Sequence, residues 1–259
     1  MSNYFTKNQI VYVNSANRQT GTNSDFTFQI DLNPNADYDR VVLLDASIPK
    51  TYYVIQDGFN TFQLQENTTT VTITLPAGNY NRTSFRNVVT GLLNLYSPGS
   101  FTYTITNQNI QTTQDAGKYT YSVTGNGSVQ PIFIFTTNLY EQFGFNANSS
   151  NQFTKLVSLN ITNLQPESTL FIHSDICQNF NNNILQNIIT AQSSDYSYVV
   201  FNNPNPREYS KYYRGGSSGL FSFQLTDENS VIIDLNGVNM ILTLMLYQLN
   251  RTDERVCEI

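Results

Sequence analysis

From Asp25 to Leu32 the chain alternates strictly, with Phe26, Phe28, Ile30 and Leu32 on one side and Thr27, Gln29 and Asp31 on the other. That period of two is the mark of a half-buried β-strand. The same grammar returns at 61–65, 71–75, 101–105, 119–123 and 221–226, each run bounded by turn residues such as Asn33-Pro34-Asn35 or Asp115-Ala116-Gly117. Composition agrees with the pattern. Only 12% of residues are charged, against about 25% in an average soluble domain, and the difference is made up by Asn and Thr, with 17 Tyr and 17 Phe. These residues favour strands and turns over helix interiors. An all-helical fold and a coiled coil are excluded, and 39% hydrophobic residues rule out wholesale disorder.

One segment breaks the β grammar. Phe85, Val88, Val89, Leu92 and Tyr96 recur at helical spacing, with Asn81 placed as an N-cap and Pro98 as a stop. This helix lies among the strands of 63–148, which reads as an α+β subdomain inserted into a β chain. The expected division is an N-terminal arm at 1–24, a sandwich of two antiparallel sheets from 25–62 and 149–250, the insertion at 63–148 and a tail at 251–259. Val41 to Leu44 is an unbroken apolar run, as for a strand covered on both faces by two packed sheets. Ile184, Leu185, Ile188 and Ile189 fit a helix or a strand. The stretch from 202 to 218 reads as a long irregular connection, and 238–249, the most apolar segment, as a central strand.

A net charge of −6 and a sequence pI near 4.7 leave little positive potential for phosphate, so direct nucleic-acid binding is disfavoured. The start of the sequence shows no apolar signal region, and no apolar run reaches the roughly 18 residues of a membrane span. Synthesis in a reducing cytosol is expected.

Catalytic chemistry finds no support. A nucleophile system would need His173, the one histidine, and its neighbours Ser174 and Asp175 lie on a strand-like run whose successive side chains face opposite ways. Cys177 and Cys257 have neither metal spacing nor a disulfide-forming compartment. The run Asp31 to Asp37 spaces oxygens like the start of a calcium loop but has Ala36 where glycine is required and Val42 where the bidentate glutamate would fall. No nucleotide-binding glycine motif occurs. No enzyme, cofactor or metal is expected. The segment 206–214 instead concentrates Arg207, Lys211 and Arg214 with Tyr209, Tyr212 and Tyr213. Tyr and Arg are the side chains enriched at protein contacts. Together with Arg18, these residues are the candidate subunit interface: Arg18, Arg207, Tyr209, Tyr212, Tyr213 and Arg214. The polar arm, with its strand-like Ile10 to Val13, is expected to pair with a sheet edge of its own or a neighbouring subunit.

Three patches carry a resemblance. Val13-Asn14-Ser15-Ala16-Asn17-Arg18 followed by Asp25-Phe26-Thr27-Phe28, Leu75-Pro76-Ala77-Gly78-Asn79-Tyr80 ahead of the helix with Phe143-Gly144-Phe145 at its end, and 221–229 followed by Asp234-Leu235-Asn236-Gly237 resemble the small jelly-roll capsid proteins of virophages and polinton-like viruses. The resemblance implies a single jelly-roll β-sandwich and a structural role in the virion: a penton, or vertex, minor capsid protein. Such a protein forms homopentamers at icosahedral fivefold positions beside a double-jelly-roll major capsid protein, with the insertion as an outward projection. A double jelly-roll needs about twice this much β sequence. The alternative from another class is a carbohydrate- or receptor-binding β-sandwich, with surface tyrosines as stacking platforms.

Overall fold

The computed structural model describes residues 5–107, 115–147, 151–165, 168–178, 183–190, 197–215 and 219–249. The expected tail at 251–259, with Cys257, lies outside the described residues. In chain order the elements begin with β1 (Phe5–Asn14), β2 (Thr20–Gly21), β3 (Asp25–Gln29) and β4 (Arg40–Pro49). Next come β5 (Thr61–Glu66), β6 (Thr69–Thr74), α1 (Arg82–Tyr96), β7 (Thr102–Asn107), β8 (Tyr119–Thr124), β9 (Ile132–Ile134), α2 (Tyr140–Phe143), β10 (Asn151–Gln152) and β11 (Lys155–Val157). The last group is β12 (Thr169–Ser174), β13 (Cys177–Gln178), β14 (Ile184–Ile189), β15 (Tyr198–Asn202), β16 (Lys211–Tyr213), β17 (Leu220–Thr226) and β18 (Ile241–Leu249). The chain divides into two compact units, one of Met1–Tyr52 with Glu167–Ile259 and one of Tyr53–Pro166.

The first unit is a sandwich of two sheets in which every described ladder is antiparallel. One sheet runs β1-β18-β4, with β15 and β16 following one another along the far edge of β4 and β13 beyond β16; the other runs β14-β12-β17-β3-β2. Counting its eight principal strands in chain order (β1, β3, β4, β12, β14, β15, β17, β18), the first sheet reads 1-8-3-6 and the second 5-4-7-2. Strands 1 and 8, 2 and 7, 3 and 6, 4 and 5 are therefore hydrogen-bonded partners, as in one long hairpin rolled into two layers. That is a jelly-roll. The second unit is inserted between strands 3 and 4.

Alternation dictates the core. Val11, Val13, Val41, Leu43, Leu242 and Leu244 point inward from one sheet and meet Phe26, Leu170, Ile172, Phe223 and Leu225 from the other, all buried. Phe26 and Phe223 stack with ring centroids 5.7 Å apart. Each such side chain contributes roughly 1.5–3 kcal/mol by leaving water. Val11 and Val13 have a direct consequence for the N-terminal segment. Expected as an arm, Phe5–Asn14 is the edge strand of the first sheet, paired along its length with β18.

The 184–189 stretch is a strand. Ile172 faces Gln186 while His173 faces Ile184, so Leu185 is the extra residue of a bulge, and both Leu185 and Ile188 reach the core. The connection at 202–218 is not irregular throughout, because Lys211–Tyr213 pairs with β4 on one side and β13 on the other. The run 41–44 is covered on both faces, with Val41, Val42 and Leu43 all buried. Val41 and Leu43 belong to the sandwich core, while Val42 and Leu44 pack on the other face with Met245, Tyr247 and Leu249 in a small cluster of their own.

The second unit carries two sheets, β10-β9-β5-β6 and β11-β8-β7, with a separate core. β10 and β11, beyond residue 148, complete these sheets. Helix α1 buries Phe85, Val89 and Leu93, and Asn81 accepts from the backbone N–H groups of Thr83 and Ser84 while Ser84 Oγ faces the N–H of Asn81 in a capping box. Its last turn stops at Tyr96 because Ser97 precedes Pro98 and is turned out of the helical region, to φ −59° and ψ 113°. The core is aromatic: Phe62, Tyr121, Phe133 and Phe143 surround one another at centroid distances of 4.8 to 6.1 Å. Glu66, buried, accepts from Ser97 Oγ at 2.7 Å, Gly99 N–H at 2.6 Å and Tyr103 Oη at 2.6 Å. Burial pushes the Tyr103 phenol up, and its bond to the Glu66 carboxylate adds to the shift.

Candidate assembly surface

The basic and aromatic residues at 207–214 do not share one environment. A turn carries Arg207 and Tyr209, where Ser210 Oγ donates to Arg207 O at 2.8 Å, and both residues are exposed. β16 then alternates: Tyr212 faces out at 64% exposure, while Tyr213 turns into the sandwich. There it packs edge-on against Tyr38 at 6.4 Å and against Phe221 at 6.2 Å. Burial raises the Tyr213 phenol. Arg214 is exposed, its backbone N–H donating to Ile176 O.

Register brings in a residue that sequence did not mark. Tyr212 lies opposite Arg40 on β4, and the Arg40 guanidinium sits 3.8 Å above the Tyr212 ring. Arg40, Arg207, Glu208, Ser210, Tyr212 and Leu249 line a cleft of about 310 Å³. Asn203 holds the connection between β15 and β16 in place, its backbone N–H donating to Leu44 O and its Nδ2 to Leu43 O, both at 2.8 Å.

Arg18 stands apart from this group. Its guanidinium donates to Ser15 O at 2.8 Å and Gly21 O at 3.0 Å, clamping the turn after β1. That turn follows Asn14, which pairs with Ile241, whereas Arg40 and Leu249 lie at the other end of the same sheet. The structure therefore groups Arg207 and Tyr212 with Arg40, leaves Tyr209 exposed on the preceding turn and Arg214 exposed after β16, packs Tyr213 against the core and sets Arg18 at a distance.

The other motifs resolve into local chemistry. His173, Ser174 and Asp175 do not converge on a common atom: His173 Nε2 lies 3.0 Å from Thr226 Oγ1, Ser174 Oγ donates to Ser222 O at 2.7 Å, and Asp175 accepts the Ser222 N–H at 2.8 Å. They border a polar cleft of about 290 Å³ with Asp25, Asn183, Ser222, Gln224, Thr226 and Ser230. In the 31–37 run, Asn33 Oδ1 accepts the Asn35 N–H at 3.0 Å in an Asx turn, and the Lys7 ammonium donates to Asn35 O at 2.7 Å. Among the described residues, no three His, Cys, Asp or Glu side chains are grouped to hold a metal ion. Buried Cys177 has its thiol pushed up to about 11 by desolvation. No described helix is long and apolar enough to cross a membrane.

No protein-family model matches the chain, and no curated protein matches it. Solved structures do. The chain is similar to the mavirus penton protein at a TM-score of 0.41 and 13% identity, covering 92% of this chain and 99% of that one. It is also similar to the D2–D3 domains of the flagellar cap protein FliD from Escherichia coli, at 0.23 and 14%, over 85% and 98%. Both likenesses are distant, and the fold rests on the strand order of the chain itself.

Proposed function

We propose that this chain is a structural protein of a virion: a vertex protein that assembles as pentamers at icosahedral fivefold positions, among double-jelly-roll major capsid proteins. The observation that carries this reading is the rolled-hairpin strand order in combination with where the capsid-like patches fall. Val13 to Arg18 leads out of β1, Asp25 to Phe28 is β3, and 221–226 is β17, the strand paired with β3. Two of the three patches thus form or border jelly-roll strands, and the third, Leu75 to Tyr80 with Phe143 to Phe145, lies in the inserted unit. A fold alone hosts many functions, so the patches matter. Arg207, Tyr209, Tyr212 and Arg214 are the side chains proposed to meet a neighbouring subunit, and the inserted unit is proposed as the capsid projection.

The carbohydrate-binding alternative has less support. The polar cleft beside His173 has hydroxyls, amides and carboxylates on its walls but no aromatic ring for a sugar to stack on. Native mass spectrometry of the purified protein separates the two readings. A discrete pentamer is expected, and a stable monomer that binds glycans on an array would overturn the capsid reading.

A further inference from the structure

The run of strands β1-β18-β4-β15 in the first sheet has two open sides, β1 at one end and β15 at the other. Backbone bonds fix which residues face those sides. Ser15 N–H donates to Met240 O at 3.0 Å, in the same unbroken register that pairs residues 8–14 with β18. The odd residues of β1 therefore bond β18, and Asn8, Ile10 and Tyr12 point their N–H and C=O groups away from it. Lys50 N–H donates to Ser197 O and Asn203 N–H to Leu44 O, both at 2.8 Å, so by the same alternation Tyr198, Val200 and Asn202 point away from β4. Among the described residues, none of these outward backbone groups has a hydrogen-bond partner.

The side chains follow the same parity. Asn8, Ile10, Tyr12, Tyr198, Val200 and Asn202 are all exposed on the outer face, while Val11, Val13 and Val199 are buried in the core. Ile10, Tyr12, Tyr198 and Val200 are 50%, 70%, 53% and 66% exposed, whereas β18 and β4 between them expose only Ile241 and Asp45. Across these four strands the apolar exposure is concentrated at the two edges. Native edges are ordinarily guarded by a lysine, a proline or a bulge. β1 has Lys7 and a bulge at its start but neither from 8 to 14, and β15 has no charge, no proline and no register shift.

We propose that β1 of one copy adds to β15 of the next, carrying the sheet across the subunit boundary. A second copy is the occupant on three counts. β1 runs antiparallel to β18, β18 to β4 and β4 to β15, so an incoming β1 in the same sheet orientation lies antiparallel to β15. Residues that bond across the new ladder carry outward side chains on both strands, so the two cores stay on the same side of the joined sheet. The ladder also sets Ile10 and Tyr12 beside Tyr198 and Val200, the aromatic and β-branched cross-strand neighbours that stabilise sheets. The contact adjoins Arg207 and Tyr209, on the turn that leads from β15 to β16. Pairing of two different edges is head-to-tail, uses both edges of every copy, and closes into a ring when the rotation per subunit divides a full turn. This inference rests on the pentamer reading and names its interface.

Proline at an edge-facing position removes an outward N–H and leaves the ladder behind it intact. Ile10→Pro and, separately, Val200→Pro are expected to keep the melting temperature close to that of the parent chain and to weaken assembly at least about tenfold, read by native mass spectrometry. A second measurement does not depend on proline being tolerated. In a Cys257→Ser chain, Ile10→Cys or Tyr12→Cys is combined with Tyr198→Cys or Val200→Cys and the protein is mildly oxidised. At least one of these pairs is expected to give covalent rings of five, since opposed Cα atoms in such a ladder lie about 5.5 Å apart, within disulfide reach. A pentamer indifferent to both prolines and uncrosslinked by every pair would overturn this pairing and leave the pentamer standing. Dimers crosslinked by Ile10→Cys or Val200→Cys alone would overturn it in favour of like edges meeting. Open-ended crosslinked ladders would uphold the edge pairing and overturn the pentamer, and a monomer that never crosslinks would overturn both.

Discussion

Glu66 shows how much of the second unit hangs on a single side chain. Its carboxylate accepts from the buried Tyr103 hydroxyl and from two part-buried donors, the Ser97 hydroxyl and the Gly99 N–H. Glu66→Ala leaves the buried Tyr103 hydroxyl without its acceptor and removes two part-buried bonds whose donors can turn to water, so the expected loss is about 2 kcal/mol, read as a fall in the urea midpoint. The buried phenols set a pH response. Tyr103, Tyr119 and Tyr121 have folded-state values raised first of all by desolvation, so the fold favours their neutral forms. Stability from them is fully present below about pH 10 and is lost as pH rises above it. Cys177 acts in the same direction, its contribution present below about pH 9 and lost as pH rises through about 11. The urea midpoint is expected to hold level up to about pH 9 and then fall. A midpoint that rises over that range would contradict the burial of these groups. Cys177 is also expected to react with a thiol reagent only as fast as the sandwich opens.

At the scale of elements, β1 is the test piece. It hydrogen-bonds β18 and adds Val11 and Val13 to the core, yet its partner would otherwise be an open edge of nine residues rich in Leu. Removing residues 1–14 is expected to lower the melting temperature and to produce light-scattering aggregates, because a long apolar edge is a template for another chain. β3 and β17 were legible in the sequence because one face of each is buried and the other wet, which writes period two directly into the residues. β14 was ambiguous for a physical reason: the bulge at Leu185 places Leu185 and Ile188 on the same side, and a spacing of three imitates a helix. β16 was missed because three residues are too few to show a period. The core role of β1 was hidden because Ile10 and Tyr12 stand between and beside its valines, which erases the period of two, and because the residues before them are polar. The assembly surface was half readable. Tyr209, Tyr212 and Arg207 are close in sequence, but Arg40 joins them only through the pairing of β4 with β16, and the inward turn of Tyr213 follows from that same pairing.

For the whole molecule, two separate hydrophobic cores mean that neither unit takes its buried side chains from the other. Calorimetry is expected to resolve two unfolding transitions, and excising 53–166 with a short Gly/Ser joint between β4 and β12 is expected to leave a cooperatively folding sandwich. Loss of cooperative unfolding after excision would show that the inserted unit supports the jelly-roll. The pairing of Phe5 with Leu249 also fixes an order of events during synthesis. The first strand made waits for the last, so the sandwich cannot close until the ribosome has released nearly the whole chain. The inserted unit, whose strands pair only among themselves, is free to finish while translation continues. Nascent chains stalled at about residue 200 should therefore yield a protease-resistant fragment from the insertion and none from the jelly-roll, whose first strands spend that interval unpaired and in need of a chaperone.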